Sequence, residues 1–127
     1  MIRVYLLLAT LLMIPFQDLA KNEDERFIRL VKIKVDPSTL EDYEIILKEQ
    51  METAVKIEEG VLEYTVVSEK DNPHLFTLIE IYKDYNAYQD HIKTRHFLKY
   101  KTSTQKMVQS LELIDVNMVK AVNKNSF

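Results

Sequence analysis

The apolar positions of this chain fall into alternating and helical runs in a fixed order. From Phe27 to Val35 they alternate. Phe27, Val31, Ile33 and Val35 share one face with Arg29, and Ile28 and Leu30 lead the other, which continues in Lys32 and Lys34. A period of two belongs to a β-strand. Asp36-Pro37 ends it, and proline suits the first turn of a helix. Leu40, Tyr43, Leu47, Met51 and Ala54 recur at helical spacing, predicting a helix that ends near Glu58 with Gly60 as a left-handed cap. Val61 to Ser68 alternates again, with Leu62, Tyr64 and Val66 on one face and Val61, Thr65 and Val67 on the other. Glu69 to Pro73 is a turn by composition.

Leu75 to Tyr82 is a third strand, apolar on both faces. Asp84 is placed to cap a short helix over Tyr85 to Lys93, and Thr94 to cap another from Arg95 to about Gln109, with Phe97, Tyr100, Thr104 and Met107 along one side. Leu111 to Val119 closes the series as a strand. The order is β-α-β-β-α-β with the second helix broken in two. That predicts an α+β, ferredoxin-like fold with a four-stranded antiparallel sheet. Helices on one side should leave the other sheet face wet and polar. The middle strands are instead apolar on both faces, so a second copy packed sheet to sheet is the expected cover, although singly exposed apolar residues are ordinary.

The chain has 127 residues, 46% of them hydrophobic, which suits one domain with a real core. We place that domain at residues 27–120, after a charged linker at 21–26 and before a polar tail at 121–127. Residues 1–20 read differently. Arg3 precedes an apolar run from Val4 to Ile14, then Pro15, the pattern of a secretory signal peptide and too short to span a bilayer. Ala20 suits a cleavage site and Asp18 does not, so a retained anchor is the alternative. Either predicts a periplasmic or secreted mature domain with no membrane insertion of its own. A net charge of −3 with both signs interspersed gives no electrostatic case for nucleic acid. A single glycine excludes a Gly-rich phosphate cradle and a G-x-S-x-G elbow, and the absence of cysteine excludes disulfides, thiol nucleophiles and iron–sulfur ligation.

Candidate chemistry concentrates between Leu78 and Tyr100. Glu80 is a carboxylate inside an apolar strand, sharing a face with Phe76, Leu78 and Tyr82. Burial moves such a group toward neutrality, and it can orient a histidine or a ligand hydroxyl, or simply pair with Arg29, Lys32 or Arg95. His91 lies three residues after Tyr88, on a helical face directed at the sheet, as a general base or as a packed structural imidazole. His96 follows the Thr94 cap. His74, beside Pro73, reads as exposed. His91 and His96 are five apart, not the four that stacks two ligands on one helix, so no metal site is expected. Tyr43, Met51, Tyr64, Tyr82, Tyr88 and Phe97 are candidates for a pocket lining, and equally for core.

These residues resemble the antibiotic biosynthesis monooxygenase family. The likeness is clearest at Glu59-Gly-Val-Leu-Glu-Tyr64 and over Leu78 to Tyr100, where the Glu-x-aromatic strand pattern is Glu80-Ile81-Tyr82 and the His…His-Phe helix pattern is His91…His96-Phe97. The resemblance implies a homodimeric α+β barrel with a mostly apolar cavity in each subunit. It implies oxygenation of a small phenolic or quinol-type aromatic by O₂ with no flavin, haem or metal cofactor. It suggests His91 as base, Glu80 as its orienter and His96 as a donor to developing oxyanion charge. There is no tryptophan, and the positions of the haem-degrading branch carry His91 and Lys101, which argues against haem degradation. A non-catalytic ligand-binding protein and a purely structural dimer module are the competing classes.

Overall fold

The structure, a computed structural model, describes residues 24–127. The expected leader over 1–20, and the first part of the linker, lie outside the described residues.

β1 (Phe27–Val35) is the strand that its alternation predicts, and it lies inside the sheet, paired antiparallel with β3 (Leu75–Tyr82) on one side and β4 (Val108–Val116) on the other. β2 (Val61–Ser68) pairs with β3 to complete a sheet of order β2-β3-β1-β4. Asp36 ends β1 by accepting the Ser38 N–H at 3.0 Å, and Pro37 opens a 3₁₀ turn that runs into α1 (Leu40–Ile57). Val31, Ile33, Val35, Phe76 and Leu78 on the sheet pack with Tyr43 and Leu47 of α1. Burying each such side chain contributes about 1.5–3 kcal/mol. That packing, more than helix propensity, holds α1 to the sheet.

Several local expectations need correction. Gly60 does not adopt a left-handed conformation; α1 ends where Glu58 turns extended. Glycine is needed there for space, because a Cβ would lie 2.5 Å from Ala87 Cβ. The β2–β3 register slips between Val61 and Glu63, leaving Leu62 as an extra residue. The slip puts Val61 in a second core cluster with Ala54 and Tyr82 and turns Leu62 out to solvent, reversing the alternation expected at that end.

The second helical segment also differs from expectation. α2 (Tyr85–His91) is shorter than predicted, and α3 (Arg95–Thr104) stops five residues before Gln109. The Met107 N–H bonds back to Thr104 and the Met107 carbonyl accepts Asp36 N–H at 2.8 Å, so β4 begins at Val108 rather than Leu111 and ends at Val116 rather than Val119. His74 is partly buried, and its carbonyl accepts the Val35 N–H at 3.0 Å.

On the sheet face opposite Val31, Leu78 and Glu80, the register aligns Ile79, Leu30 and Ile114 in one cross-strand row and Ile81, Ile28 and Val116 in the next. Ile79 is 41% exposed. Among the described residues no helix is long and apolar enough to cross a membrane.

Candidate active site

The break between α2 and α3 assembles the site. Asp84 caps α2 through Ala87 N–H at 2.8 Å, and seven residues later the helix ends on His91. The Thr94 hydroxyl donates to the His91 carbonyl at 2.7 Å and accepts the Phe97 N–H at 3.3 Å, so one side chain closes α2 and opens α3. The redirected chain brings His91 and His96 to one carboxylate oxygen of Glu58, at the end of α1. Glu58 Oε2 accepts from His91 Nδ1 at 2.8 Å and from His96 Nε2 at 2.6 Å.

His91 is 1% exposed. With Nδ1–H given to Glu58, its Nε2 faces the Tyr64 hydroxyl at 2.7 Å and the Gln50 amide nitrogen at 3.2 Å. Tyr64 in turn shares a 2.7 Å hydrogen bond with the Tyr82 hydroxyl, and Tyr82 lies 3.1 Å from Glu80 Oε2. Glu80 sits between Arg29 on β1 and Tyr64 on β2, directly opposite each in the register. Arg29 donates to Asp115 of β4 rather than to Glu80, and its guanidinium lies 4.4 Å from the centre of the Tyr88 ring.

Burial sets the proton affinities. It lowers the His91 pKa, only partly offset by Glu58, so the imidazole is neutral near pH 7 and its Nε2 is an acceptor toward Tyr64. Burial raises Glu80 to about 7, against the opposing pull of the Tyr82 hydrogen bond and the Arg29 charge. The hydroxyls of Tyr64 and Tyr82 are pushed above the usual phenol range by burial and by the nearby Glu80 charge.

A cavity of about 100 Å³ lies against these groups. Its polar lining includes Arg29, Gln50, Tyr64, Glu80, His91 and Lys101, and its walls include Leu78, Tyr82, Tyr88, Phe97 and Tyr100. Leu111 and Leu113 of β4 also line it and are 46% and 50% exposed, which places its mouth at the β4 edge. A dry cavity of roughly 150 Å³ accepts benzene, so this one suits a single ring seated with part of it at the mouth.

Of the expected pocket residues, Tyr64, Tyr82, Tyr88 and Phe97 line the cavity. Tyr43 and Met51 do not: Tyr43 is fully buried, bonded to Tyr100 at 2.7 Å, and Met51 packs on the main core. The proposed roles change as well. The carboxylate that orients His91 is Glu58, while Glu80 is two hydroxyls away. His96 lies behind Glu58 and outside the cavity lining, so it is not placed to donate to an oxyanion there. Glu58 and Gln50 were missed. For Gln50 the signal was spacing, since it follows Leu47 by three on the buried face of α1; Glu58, the extended residue that ends the helix, carried no such signal.

Ligand atoms of Glu58, His91 and His96 lie within 4.8 Å of one another, close enough to converge on a cation. In this arrangement one carboxylate oxygen already binds both imidazoles, and the three groups satisfy each other by hydrogen bonding.

The sequence profile of the family described as antibiotic biosynthesis monooxygenase matches residues 26–103. The fold is also similar to solved structures. A Bacteroides thetaiotaomicron protein named for the antibiotic biosynthesis monooxygenases is 45% identical, over 79% of this chain and 95% of its own, with a TM-score of 0.75. A Lactobacillus acidophilus protein named as a monooxygenase is 31% identical, over 72% of this chain but 43% of its own, with a TM-score of 0.70. A Nitrosomonas europaea protein, also named for the antibiotic biosynthesis monooxygenases, is 17% identical over 80% of this chain and 97% of its own, at a TM-score of 0.72, and shares the fold. No curated protein matches this chain.

Proposed function

From the premise that this chain belongs to the antibiotic biosynthesis monooxygenase family, we propose that it oxidises a small phenolic or quinol-type aromatic with O₂. The observation that carries this reading is a neutral, buried imidazole, oriented by Glu58, beside a mostly apolar cavity that seats a single ring in part. A quinol becomes electron-rich when it loses a proton, and an ionised quinol reduces O₂ by itself. The His91–Glu58 pair is the proton sink, and the apolar wall of Leu78, Tyr88 and Phe97 holds the ring. For a hydroquinone with an unsubstituted ring position, one oxygen atom bonds to a ring carbon and displaces its hydrogen, and the other leaves as water. The substrate supplies all the electrons and ends as a hydroxyquinone, so no flavin, haem or metal is drawn on.

The protein works as a homodimer. What supports this is the apolar far sheet face, where Ile79 is 41% exposed in a row with the partly buried Leu30 and Ile114. Export to the periplasm or exterior is supported by the basic start and apolar run of residues 1–20.

Oxygen uptake with a panel of single-ring quinols tests the activity. Wild type should exceed the uncatalysed rate, and His91→Ala should lose about 10²–10⁴-fold. No uptake above background on any of them refutes it. A non-catalytic binding protein is the alternative, favoured by a site in which, among the described residues, no buried side-chain polar atom lacks a partner. It predicts ligand-induced thermal stabilisation without turnover, retained in His91→Ala.

A further inference from the structure

The hydrogen bonds between Glu80 and His91 do not balance unless a proton is supplied from one end. Tyr64 Oη is 2.7 Å from both His91 Nε2 and Tyr82 Oη, and Tyr82 Oη is 3.1 Å from Glu80 Oε2. A phenol owns one proton and donates one hydrogen bond. Three contacts therefore need three protons, and the two hydroxyls own two. The third sits on Glu80, with every donor pointing toward His91, or on His91 Nε2, with every donor pointing toward Glu80. The two arrangements have the same net charge and differ by a one-place shift of three protons.

We propose that Tyr82 and Tyr64 form a two-hydroxyl proton relay joining the cavity carboxyl Glu80 to the imidazole of His91. Among the described residues no other hydrogen-bonded path links these two ends. The phenols act as carriers and not as acids, since burial keeps both protonated through the working range. Burial drives Glu80 up and His91 down, so the shared proton rests on Glu80 and its transfer to His91 is the step the relay serves.

The surroundings bias the exchange without breaking it. Glu80 is faced by Arg29 from β1, Tyr64 from β2, Tyr43 from α1 and Tyr100 from α3, with Tyr88 of α2 and Lys101 of α3 on the same cavity; β4 acts on it through Asp115, which holds Arg29. His91 is faced by Gln50 and Glu58 from the α1 side, His96 from α3, Tyr64 from β2 and Tyr82 from β3.

The use of the relay in turnover rests on the oxygenase reading. A substrate O–H breaks and its proton bonds to the Glu80 carboxylate. The relay shift then places a proton on His91 Nε2 and restores the carboxylate, with no electron moved. Glu58 and His96, both partly exposed, lie between His91 and solvent.

The test uses the full, ligand-free chain and pH titration by NMR of the His91 ring nitrogens and the Glu80 carboxyl carbon. In wild type both should show an inflection at the same pH, as coupled groups do. In Tyr82→Phe, which leaves both ends ionisable, Glu80 should still titrate while the matching His91 inflection is lost. Glu80→Gln should lose it too. Persistence of the His91 inflection in Tyr82→Phe means through-space coupling and overturns the relay, as does a wild-type His91 indifferent to Glu80. If Tyr82→Phe does not fold, Tyr64→Phe cuts the same path and is read at Glu80, which should lose its response to His91; a retained response overturns the relay. Oxygen uptake is measured separately. Coupling without turnover sinks the oxygenase and leaves the relay standing; turnover with no coupling does the reverse.

Discussion

Glu58 Oε2 accepts the Nδ1–H of His91 at 2.8 Å, and this bond fixes the tautomer in which Nε2 is the acceptor facing the Tyr64 hydroxyl. Glu58 also raises the His91 pKa against the stronger lowering effect of burial. Glu58→Gln keeps an acceptor but removes the charge. His91 should then titrate at still lower pH than in wild type, read from its imidazole resonances. Stability should fall by about 1–3 kcal/mol, since a buried donor loses its charged partner. An upward shift of His91 would contradict the assignment of Glu58 as orienter.

Glu80 and His91 give stability opposite dependences on pH. Glu80 binds its proton more tightly folded than unfolded, at about 7 against 4.5. Its contribution is full below pH 4.5 and is lost as pH rises through 7. His91 binds its proton less tightly folded than its ordinary 6.5, so its contribution is present above 6.5 and is lost as pH falls. Glu80→Gln cannot ionise. Its stability relative to wild type should therefore grow between pH 4.5 and 7 by about 3 kcal/mol at most, measured by denaturant unfolding across that range. A difference independent of pH would show that Glu80 is not held neutral by burial.

Arg29 is opposite Glu80 in the sheet and pulls its pKa down, while Asp115 and the Tyr88 ring hold Arg29 in place. Arg29→Met keeps an apolar stem and removes the charge. Glu80 should then titrate above its wild-type value of about 7 by carboxyl NMR. No shift would place the Arg29 charge outside the electrostatics of the cavity.

Gly60 is a packing glycine, not a cap. Gly60→Ala drives a methyl to 2.5 Å from Ala87 Cβ and should cost about 1–3 kcal/mol in thermal or denaturant unfolding. Ala87→Gly in the same chain should recover most of it, less the ~1 kcal/mol of a glycine within α2. A single variant as stable as wild type would refute the contact.

The strand order and the apolar faces were legible because periods of two and of 3.6 are set locally by backbone geometry. Asp84 and Thr94 were legible as caps for the same reason, since each reaches an N–H three residues on. What the sequence hid were effects of space and register. The Gly60–Ala87 contact joins two elements 27 positions apart, and no local pattern records it. The extra residue Leu62 reverses the faces of β2 at one end, so Val61 is core with Tyr82 where alternation put it on the face opposite Tyr64. At the site, His91 and Glu80 were visible as polar residues in apolar runs. Their link was not: pairing Glu80 directly with His91 overlooked the gap that the hydroxyls of Tyr82 and Tyr64 fill. Glu58 was legible only as the place where a helix ends, and the turn at Thr94 brings both imidazoles to it.

The most direct measurement supplies ¹⁸O₂ to the purified protein with a single-ring quinol that supports oxygen uptake. The account predicts one ¹⁸O atom in the ring product and one in water, and loss of that label in His91→Ala. Product carrying no ¹⁸O on its ring, or carrying it at the same rate without protein, would contradict the account.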